Sequence, residues 1–378
     1  MPLRRFAKIA IALALVVSGF GAVSAAFLNL WPSFGGRVEG ERKTRAQASP
    51  QFRDGRFENV VPKTARTTAQ SLDYLKRQVM GDEVRTPPPP CPSLIRLDPT
   101  DFKKPPVPGL RAIWFGHASV YLEIDGARIM VDPMLSEYAS PLQGVGPKRF
   151  HPPPLALHLL PKMDAVVISH DHYDHFDMET IKHLAQVGSH FVVPLGIGAH
   201  LERWGVPGSQ FTELDWWQSS ELQGLKITST PVRHYSGRGL RDGNATLWSS
   251  WSIAGPVHRV YFSGDTGFGP HFREIGDRLG PFDLSLLKIG AYGPGQNWLD
   301  IHMEPEQTVE AHLALKARRM LPVHWGTFNL AFHAWDEPIK RAVAAGRERG
   351  IDVVTPRLGE VLTMSAPFDS TNWWETCG

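Results

Sequence analysis

The sequence is poor in cysteine, with 2 residues in 378, which excludes a disulfide framework or a cysteine-rich zinc finger. It lacks an excess of either charge: 40 Lys+Arg stand against 38 Asp+Glu, a formal +2. Without a polybasic stripe, nucleic acid is not an expected partner. There are no internal repeats. With 42% hydrophobic and 21% charged residues, the composition is that of a globular chain, not a disordered one. The length allows one large or two ordinary domains. What the chain has in quantity is histidine, 16 residues, which directs attention to metal binding by imidazole.

The N-terminus reads as a targeting segment. Arg4, Arg5 and Lys8 precede an uncharged run from Ile9 to Trp31, interrupted by Ser18, Gly19 and Gly21. Val23-Ser24-Ala25 resembles a signal-peptidase site, so residues 1–31 are a signal peptide or an uncleaved membrane anchor. Either places the body in an exported location, periplasmic or membrane-associated in the envelope. Cys91 and Cys377 can pair in such an oxidising compartment. Residues 32–110 read as a Pro-rich, extended lead-in, with Pro87–Pro90 and Lys103-Lys104-Pro105-Pro106 as its clearest marks. Residues 366–378 form a tail.

Between them, residues 111–365 alternate short apolar runs with helical spacing. Strands are expected at 112–115, 119–124, 128–131, 164–169 and 190–194, and again near 226–233, 259–263, 284–289 and 319–323. Asp125-Gly126 signals a hairpin. Helices are expected at 178–187, 271–279, 305–317 and 336–349. This is one α/β domain built of two sheets faced by helices.

The chemistry concentrates in Ser169-His170-Asp171-His172-Tyr173-Asp174-His175. The motif follows a strand and precedes a helix, so a rigid scaffold holds the ligands while the loop curls them around a point. His170 and His172 can converge on one metal, and Asp174 and His175 can face a second. Imidazole and carboxylate suit Zn, Mn or Fe. A His-rich surface loop is the alternative for this cluster alone. Three further residues stand at the ends of apolar strands: His234, Asp265 and His324. Singly they read as a core histidine, a turn former and a packing residue. Together the set supplies five His and two Asp, enough for two metals with one bridging carboxylate.

In this order the residues resemble the metallo-β-lactamase superfamily. Further blocks narrow the resemblance to the N-acyl-phosphatidylethanolamine-hydrolysing phospholipase D family: Trp114-Phe115-Gly116-His117-Ala118-Ser119, Glu213-Leu214-Asp215-Trp216-Trp217, Phe262-Ser263-Gly264-Asp265-Thr266-Gly267 and Val323-His324-Trp325-Gly326-Thr327-Phe328. The resemblance spans roughly 110–360. It implies an αββα sandwich with two mixed sheets flanked by helices and a binuclear site, most simply two Zn²⁺, with Mn or Fe as alternatives. It assigns His170, His172 and His234 to one metal, Asp174, His175 and His324 to the other, and Asp265 to the bridge. The implied reaction is phosphodiester hydrolysis of a phospholipid. A lactone or sugar-phosphate ester is the alternative substrate, and a non-hydrolytic envelope metal-binding protein the alternative role.

Two metals sharing a water lower its pKa and neutralise a phosphodiester, so no covalent intermediate is needed. Asp265 is then catalytic as well as a ligand. Asp171 is a candidate for fixing a ligand imidazole through its other nitrogen, against a solvated loop carboxylate. His302 can protonate a leaving group or hold a phosphate oxygen, against a role in starting the helix at Pro305. His117 reads as a buried hydrogen-bonding residue at a strand kink. Gln143 and Lys148, in a polar loop, are candidates for substrate contact at the entrance, against a solvated loop. Among the twelve Trp, Trp216-Trp217 is expected in the core or over the cleft. Trp373-Trp374 is expected to be exposed near the C-terminus and able to touch a membrane surface.

Overall fold

The computed structural model describes residues 31–377 apart from 66, 82, 90, 92, 93, 294 and 295. The targeting segment expected over 1–31 therefore lies outside the described residues except for Trp31. Among the described residues no helix is long and apolar enough to cross a membrane.

The lead-in departs from the extended linker expected for it. It carries helix α1 (Gly40–Gln47), a hairpin of β1 (Phe52–Arg53) and β2 (Arg56–Phe57), and helix α2 (Thr68–Met80). Asp54 and Gly55 turn the hairpin with φ of 48° and 83°, the left-handed pair that a two-residue turn requires. A reciprocal capping box between Thr67 and Gln70 starts α2. The segment also clings to the body: Arg42 meets Glu213 at 2.9 Å and Glu202 at 3.0 Å. The proline clusters do interrupt regular structure, but the stretches between them hold enough helix formers and polar anchors to order.

The body opens with β3 (Leu110–Gly116), β4 (Ser119–Ile124) and β5 (Ala127–Val131), followed by β6 (Ala165–Val167), α3 (Met178–Gln186), β7 (Phe191–Pro194), α4 (Gly198–Arg203) and β8 (Phe211–Leu214). Then come β9 (Ser219–Leu222), β10 (Leu225–Thr230), β11 (Ser250–Ala254), β12 (Arg259–Phe262), α5 (His271–Leu279), β13 (Phe282–Lys288), α6 (Pro305–Ala314), β14 (Ala317–Val323), α7 (Glu337–Glu348), β15 (Asp352–Val353) and β16 (Val361–Thr363). They form two seven-stranded sheets, ordered β16-β3-β4-β5-β6-β7-β8 and β15-β14-β13-β12-β11-β10-β9. Both are mixed: β3–β5 and β9–β12 pair antiparallel, β5–β8 and β12–β15 parallel.

Period-two alternation decides which way each side chain faces. Val120, Leu122, Ile129, Val131 and Val167 enter the core shared with Ile227, Trp251 and Ile253 of the second sheet. Tyr121, Met130, Val166 and Val193 point the other way, under Ile181 and Leu184 of α3 and Leu201 of α4. The second sheet is covered by Phe272 and Ile275 of α5, Val309 of α6 and Ile339 of α7. This is the expected helix–sheet–sheet–helix sandwich. Truncating a residue such as Ile253 to Ala would cost about 2–5 kcal/mol, the usual range for a closed core.

The C-terminal tail is the second departure. Trp373 and Trp374 are buried, 4% and 2% exposed, not open to solvent. Trp373 stacks on Trp325 at 5.3 Å, and Trp325 on Trp114 at 5.2 Å. Cys377 is disulfide-bonded to Cys91, with Cα atoms 5.4 Å apart. A stack of indoles and a covalent tie hold the tail against the body, and its position near the chain end gave no sign of either. Trp216 is a core residue: its indole N–H donates to Trp248 O at 2.8 Å, and neither it nor Trp217 lines the cleft.

Candidate metal centre

All the strand-end residues singled out from the sequence meet at one rim of the sandwich. Ile168, Ser169 and His170 follow β6 directly, His234 follows β10, Asp265 follows β12 and His324 follows β14. His117 occupies the tight turn between β3 and β4. Its backbone and that of His324 are left-handed, with φ of 50° and 66°, and His324 N–H donates to His117 O at 2.8 Å. This contact joins the edges of the two sheets at the site.

The imidazoles are held in defined proton states. Ser169 Oγ donates to Asp132 Oδ2, so it must accept from His170 Nδ1 at 2.9 Å. His175 Nδ1 faces Asp132 Oδ2 at 2.6 Å, and His234 Nδ1 faces the carbonyl of Ile301 at 3.1 Å. In each case the proton resides on Nδ1 and the Nε2 lone pair is free. Those Nε2 atoms converge. His170 Nε2 and His234 Nε2 lie 2.8 Å and 3.3 Å from His172 Nδ1. His175 Nε2 lies 3.3 Å from Asp174 Oδ2 and 3.5 Å from Asp265 Oδ2. His324 Nε2 is 3.0 Å from Asp265 Oδ1 and 3.5 Å from Asp174 Oδ2. Burial pushes the His170 and His234 imidazoles well below their ordinary pKa, which keeps them neutral.

Asp265 lies between the two groups, with Oδ2 also 3.7 Å from His234 Nε2. Among the described residues, His175 Nε2, both ring nitrogens of His324 and Asp265 Oδ1 are buried without a hydrogen-bond partner. Buried lone pairs without donors are costly unless a cation fills the gap. The carboxylates of Asp174 and Asp265 also stand together here, both within 3.5 Å of His175 and His324. On both counts the donor set fits divalent metal. His170, His172 and His234 can hold one ion, and Asp174, His175 and His324 another. His/Asp donors without thiolate suit Zn²⁺ and tolerate Mn or Fe.

Supporting residues surround this set. Asp132, which follows β5 and is fully buried, anchors both Ser169 and His175. His117 Nε2 lies 2.9 Å from Asp174 Oδ2, so this residue does more than brace a kink. Arg238, stacked 4.1 Å from the Tyr173 ring, donates to the carbonyls of Asp171 and Phe176 and so clamps the motif loop. Asn59 of the lead-in donates to His234 O at 2.8 Å and accepts from His234 N at 3.0 Å. Asp132 and Asn59 went unrecognised in the sequence. Asp132 had a faint signal as an Asp at a strand end, and Asn59 had none.

Asp171 does not touch a ligand imidazole. Its carboxylate accepts from Gly237 N at 2.7 Å and Thr246 Oγ1 at 2.8 Å, and lies 3.3 Å from His200 Nε2. It secures neighbouring loops, and the part foreseen for it belongs to Asp132. His302 reaches the site, with Nδ1 buried, unpartnered among the described residues and 3.8 Å from Asp265 Oδ2. It does not cap α6, which Glu304 starts through a reciprocal pair with Gln307.

Gln143 and Lys148 stay away from the centre. Gln143 bonds the backbone of Tyr138, and Lys148 pairs with Glu137 at 3.0 Å. Lys148 lines a separate cavity beside Cys91 and Arg149. The metal cavity, about 470 Å³, has His172, Asp174, Asp265 and His324 on its floor. Its outer wall is aromatic and apolar: Tyr74 from α2, Tyr235, Trp298, Ile301 and Leu330.

Comparison with known proteins agrees with this geometry. The family model of the beta-lactamase superfamily domain matches residues 127–325, more than half of the chain. An uncharacterised protein of Mycobacterium tuberculosis is 44% identical over 336 residues, covering 87% of this chain and 88% of its own. The N-acyl-phosphatidylethanolamine-hydrolyzing phospholipase D 1 of Caenorhabditis elegans is 41% identical over 230 residues, 58% of this chain and 65% of that protein. The crystal structure of an isothiocyanate hydrolase from Delia radicum gut bacteria superposes with a TM-score of 0.54 at 19% identity, over 67% of this chain and 98% of that one. The fold, the converging His/Asp set and these relatives place the chain in the β-lactamase superfamily, as a metal-dependent hydrolase of the metallo-β-lactamase fold.

Proposed function

We propose that this protein hydrolyses the phosphodiester of a phospholipid, N-acyl-phosphatidylethanolamine or a close relative, releasing N-acylethanolamine and phosphatidic acid. The observation that carries the reading is the cavity itself: a His/Asp floor beneath a wall of Tyr74, Tyr235, Trp298, Ile301 and Leu330. Such a wall accepts acyl chain and excludes water, while the floor suits an anionic phosphate only when cations are present. Similarity to the nematode phospholipase D supports the same substrate class.

His170, His172 and His234 would hold one Zn²⁺, Asp174, His175 and His324 the other, with Asp265 shared. Bound there, the ions supply a water deprotonated near neutral pH and offset the phosphate charge. The chain's own residues do the rest. Asp132 and Ser169 fix the tautomers of His175 and His170, and His117 steadies Asp174. The unpartnered Nδ1 of His302 offers a hydrogen bond to a phosphate oxygen or to the departing ethanolamide oxygen. Hydrolysis adds water across the P–O bond on the ethanolamide side, and no side chain is acylated or phosphorylated. The basic and then apolar start of the chain supports an exported, envelope-associated protein.

The test is mass spectrometry of products after incubating the purified, zinc-loaded chain with mixed membrane lipids. N-acylethanolamine and phosphatidic acid are expected. Hydrolysis of a lactone with no phospholipid cleaved would overturn the reading.

A further inference from the structure

Helix α2 is built inside out. An amphipathic helix on a soluble body normally buries its apolar stripe. Here Leu72, Leu75 and Met80 are 63%, 60% and 72% exposed. At about 100° per residue these three share one outward arc, and Tyr74 lies nearly opposite them. Tyr74 is the residue that turns inward: it meets Phe332 edge-on at 4.9 Å and lines the metal cavity. The preceding segment adds Val60 and Val61, 74% and 41% exposed. Exposed apolar side chains clustered beside a cleft mark an interaction surface.

Two lysines flank this stripe. Lys63 and Lys76 supply positive charge here, while Arg77 is paired with Asp73 at 3.0 Å and Glu83 at 3.5 Å. The Lys63 ammonium lies 4.5 Å from the centre of the Tyr235 ring, which also lines the cavity. Apolar stripe, basic flank and cavity mouth therefore share one rim. A surface apolar below and anionic at its face complements that rim, and a bilayer with acidic headgroups has this character.

We infer that the outward face of α2 docks on an anionic phospholipid bilayer and sets the mouth of the metal cavity against that surface. The inference rests on the phospholipid reading above. The face then takes up lipid contacts while Tyr74, on the same helix, borders the path from bilayer to metal floor.

The experiment uses the full chain. Cys91 and Cys377 are paired, so a Leu75→Cys variant takes an environment-sensitive dye at one position. With vesicles of phosphatidylcholine and phosphatidylglycerol, the emission should shift to the blue and be quenched by lipids brominated on their acyl chains. In parallel, Leu72→Gln, Leu75→Gln and Met80→Gln combined should raise the apparent KM for vesicle phospholipid about tenfold, the scale of losing a few interfacial side chains. Turnover of the soluble bis(4-nitrophenyl) phosphate should be unchanged. A dye that ignores vesicles overturns the inference. So does a dye that responds to protein concentration alone, which marks a second copy on the face, or one already shielded in dilute vesicle-free protein, which marks residues 1–30 there. Insertion without phospholipid cleavage leaves docking standing and removes the substrate reading. Cleavage with an unaltered KM in the triple variant does the reverse.

Discussion

The carboxylate of Asp132 lies 2.6 Å from Nδ1 of His175, and neither side chain is exposed. The pair fixes the proton on Nδ1 and leaves Nε2 to face the metal floor. Asp132→Asn keeps the shape and removes the charge. It should weaken metal binding about 10–100-fold, the usual cost of losing a partner that orients a ligand. Competition with a chromophoric chelator checks this, and an affinity equal to that of the native protein would show that Asp132 serves the fold alone.

Asp265 is the carboxylate between the two imidazole groups, so it is the residue whose loss should be least tolerated. Asp265→Asn is expected to lower kcat by at least about a hundredfold while the circular dichroism spectrum stays native. Chelator treatment of the unaltered protein should abolish turnover, and added Zn²⁺ should restore it. Turnover that survives in the variant would take Asp265 out of the mechanism.

Two buried histidines outside the metal-facing set give a pH dependence of stability. Burial holds His312 at about 4 and His151 at about 3, against an ordinary value of 6.5. In the unfolded chain both bind protons below about 6.5, while in the folded protein they remain neutral. Unfolding therefore takes up protons, and stability falls as pH drops from 6.5 through about 4, and for His151 towards about 3. Each imidazole contributes a slope of up to about 1.4 kcal/mol per pH unit. Denaturant midpoints of the apoprotein across this range measure the slope, and His312→Gln should remove about one proton's share of it. An unchanged slope in that variant would place the acid sensitivity elsewhere.

Lys148 and Gln143 supply the contrast. Lys148 is held by Glu137 and lines a different cavity, and Gln143 serves the backbone of Tyr138. Exposed pairs of this kind contribute about 0–1 kcal/mol. Lys148→Ala and Gln143→Ala should each leave kcat/KM within about twofold, measured on the vesicle substrate. A larger loss would return the loop to the substrate path.

Much of this site is readable along the chain because strands deliver it. His170, His172, Asp174 and His175 fall within six positions, and His234, Asp265 and His324 each follow an apolar run whose end is visible in the sequence. The sheets follow from period-two alternation for the same reason. What escaped notice depends on partners distant in sequence. Asp132 precedes a proline and reads as a turn former until Ser169 and His175 are placed against it. Asn59 sits in a proline-flanked stretch 175 positions from the backbone it holds. Trp373 and Trp374 look exposed from their position, yet Trp114 and Trp325 form the slot they fill. Asp171 misleads in the opposite way: it stands between two candidate ligands in the sequence, yet its carboxylate is taken up by Gly237 N and Thr246 Oγ1.

The tie between Cys91 and Cys377 has a topological consequence. Leu94 and Leu358 also pair as a bridge, so the segments leading into β3 and β16 run side by side. Everything between the two cysteines is then a closed ring, with the stretch before Cys91 attached as a branch. A protease cutting once in any loop of the ring opens it without releasing a piece, and the nicked protein runs as two fragments only after reduction. Such a ring has no intrinsic first or last strand, which makes its exposed loops natural places to cut and rejoin the chain in a different order.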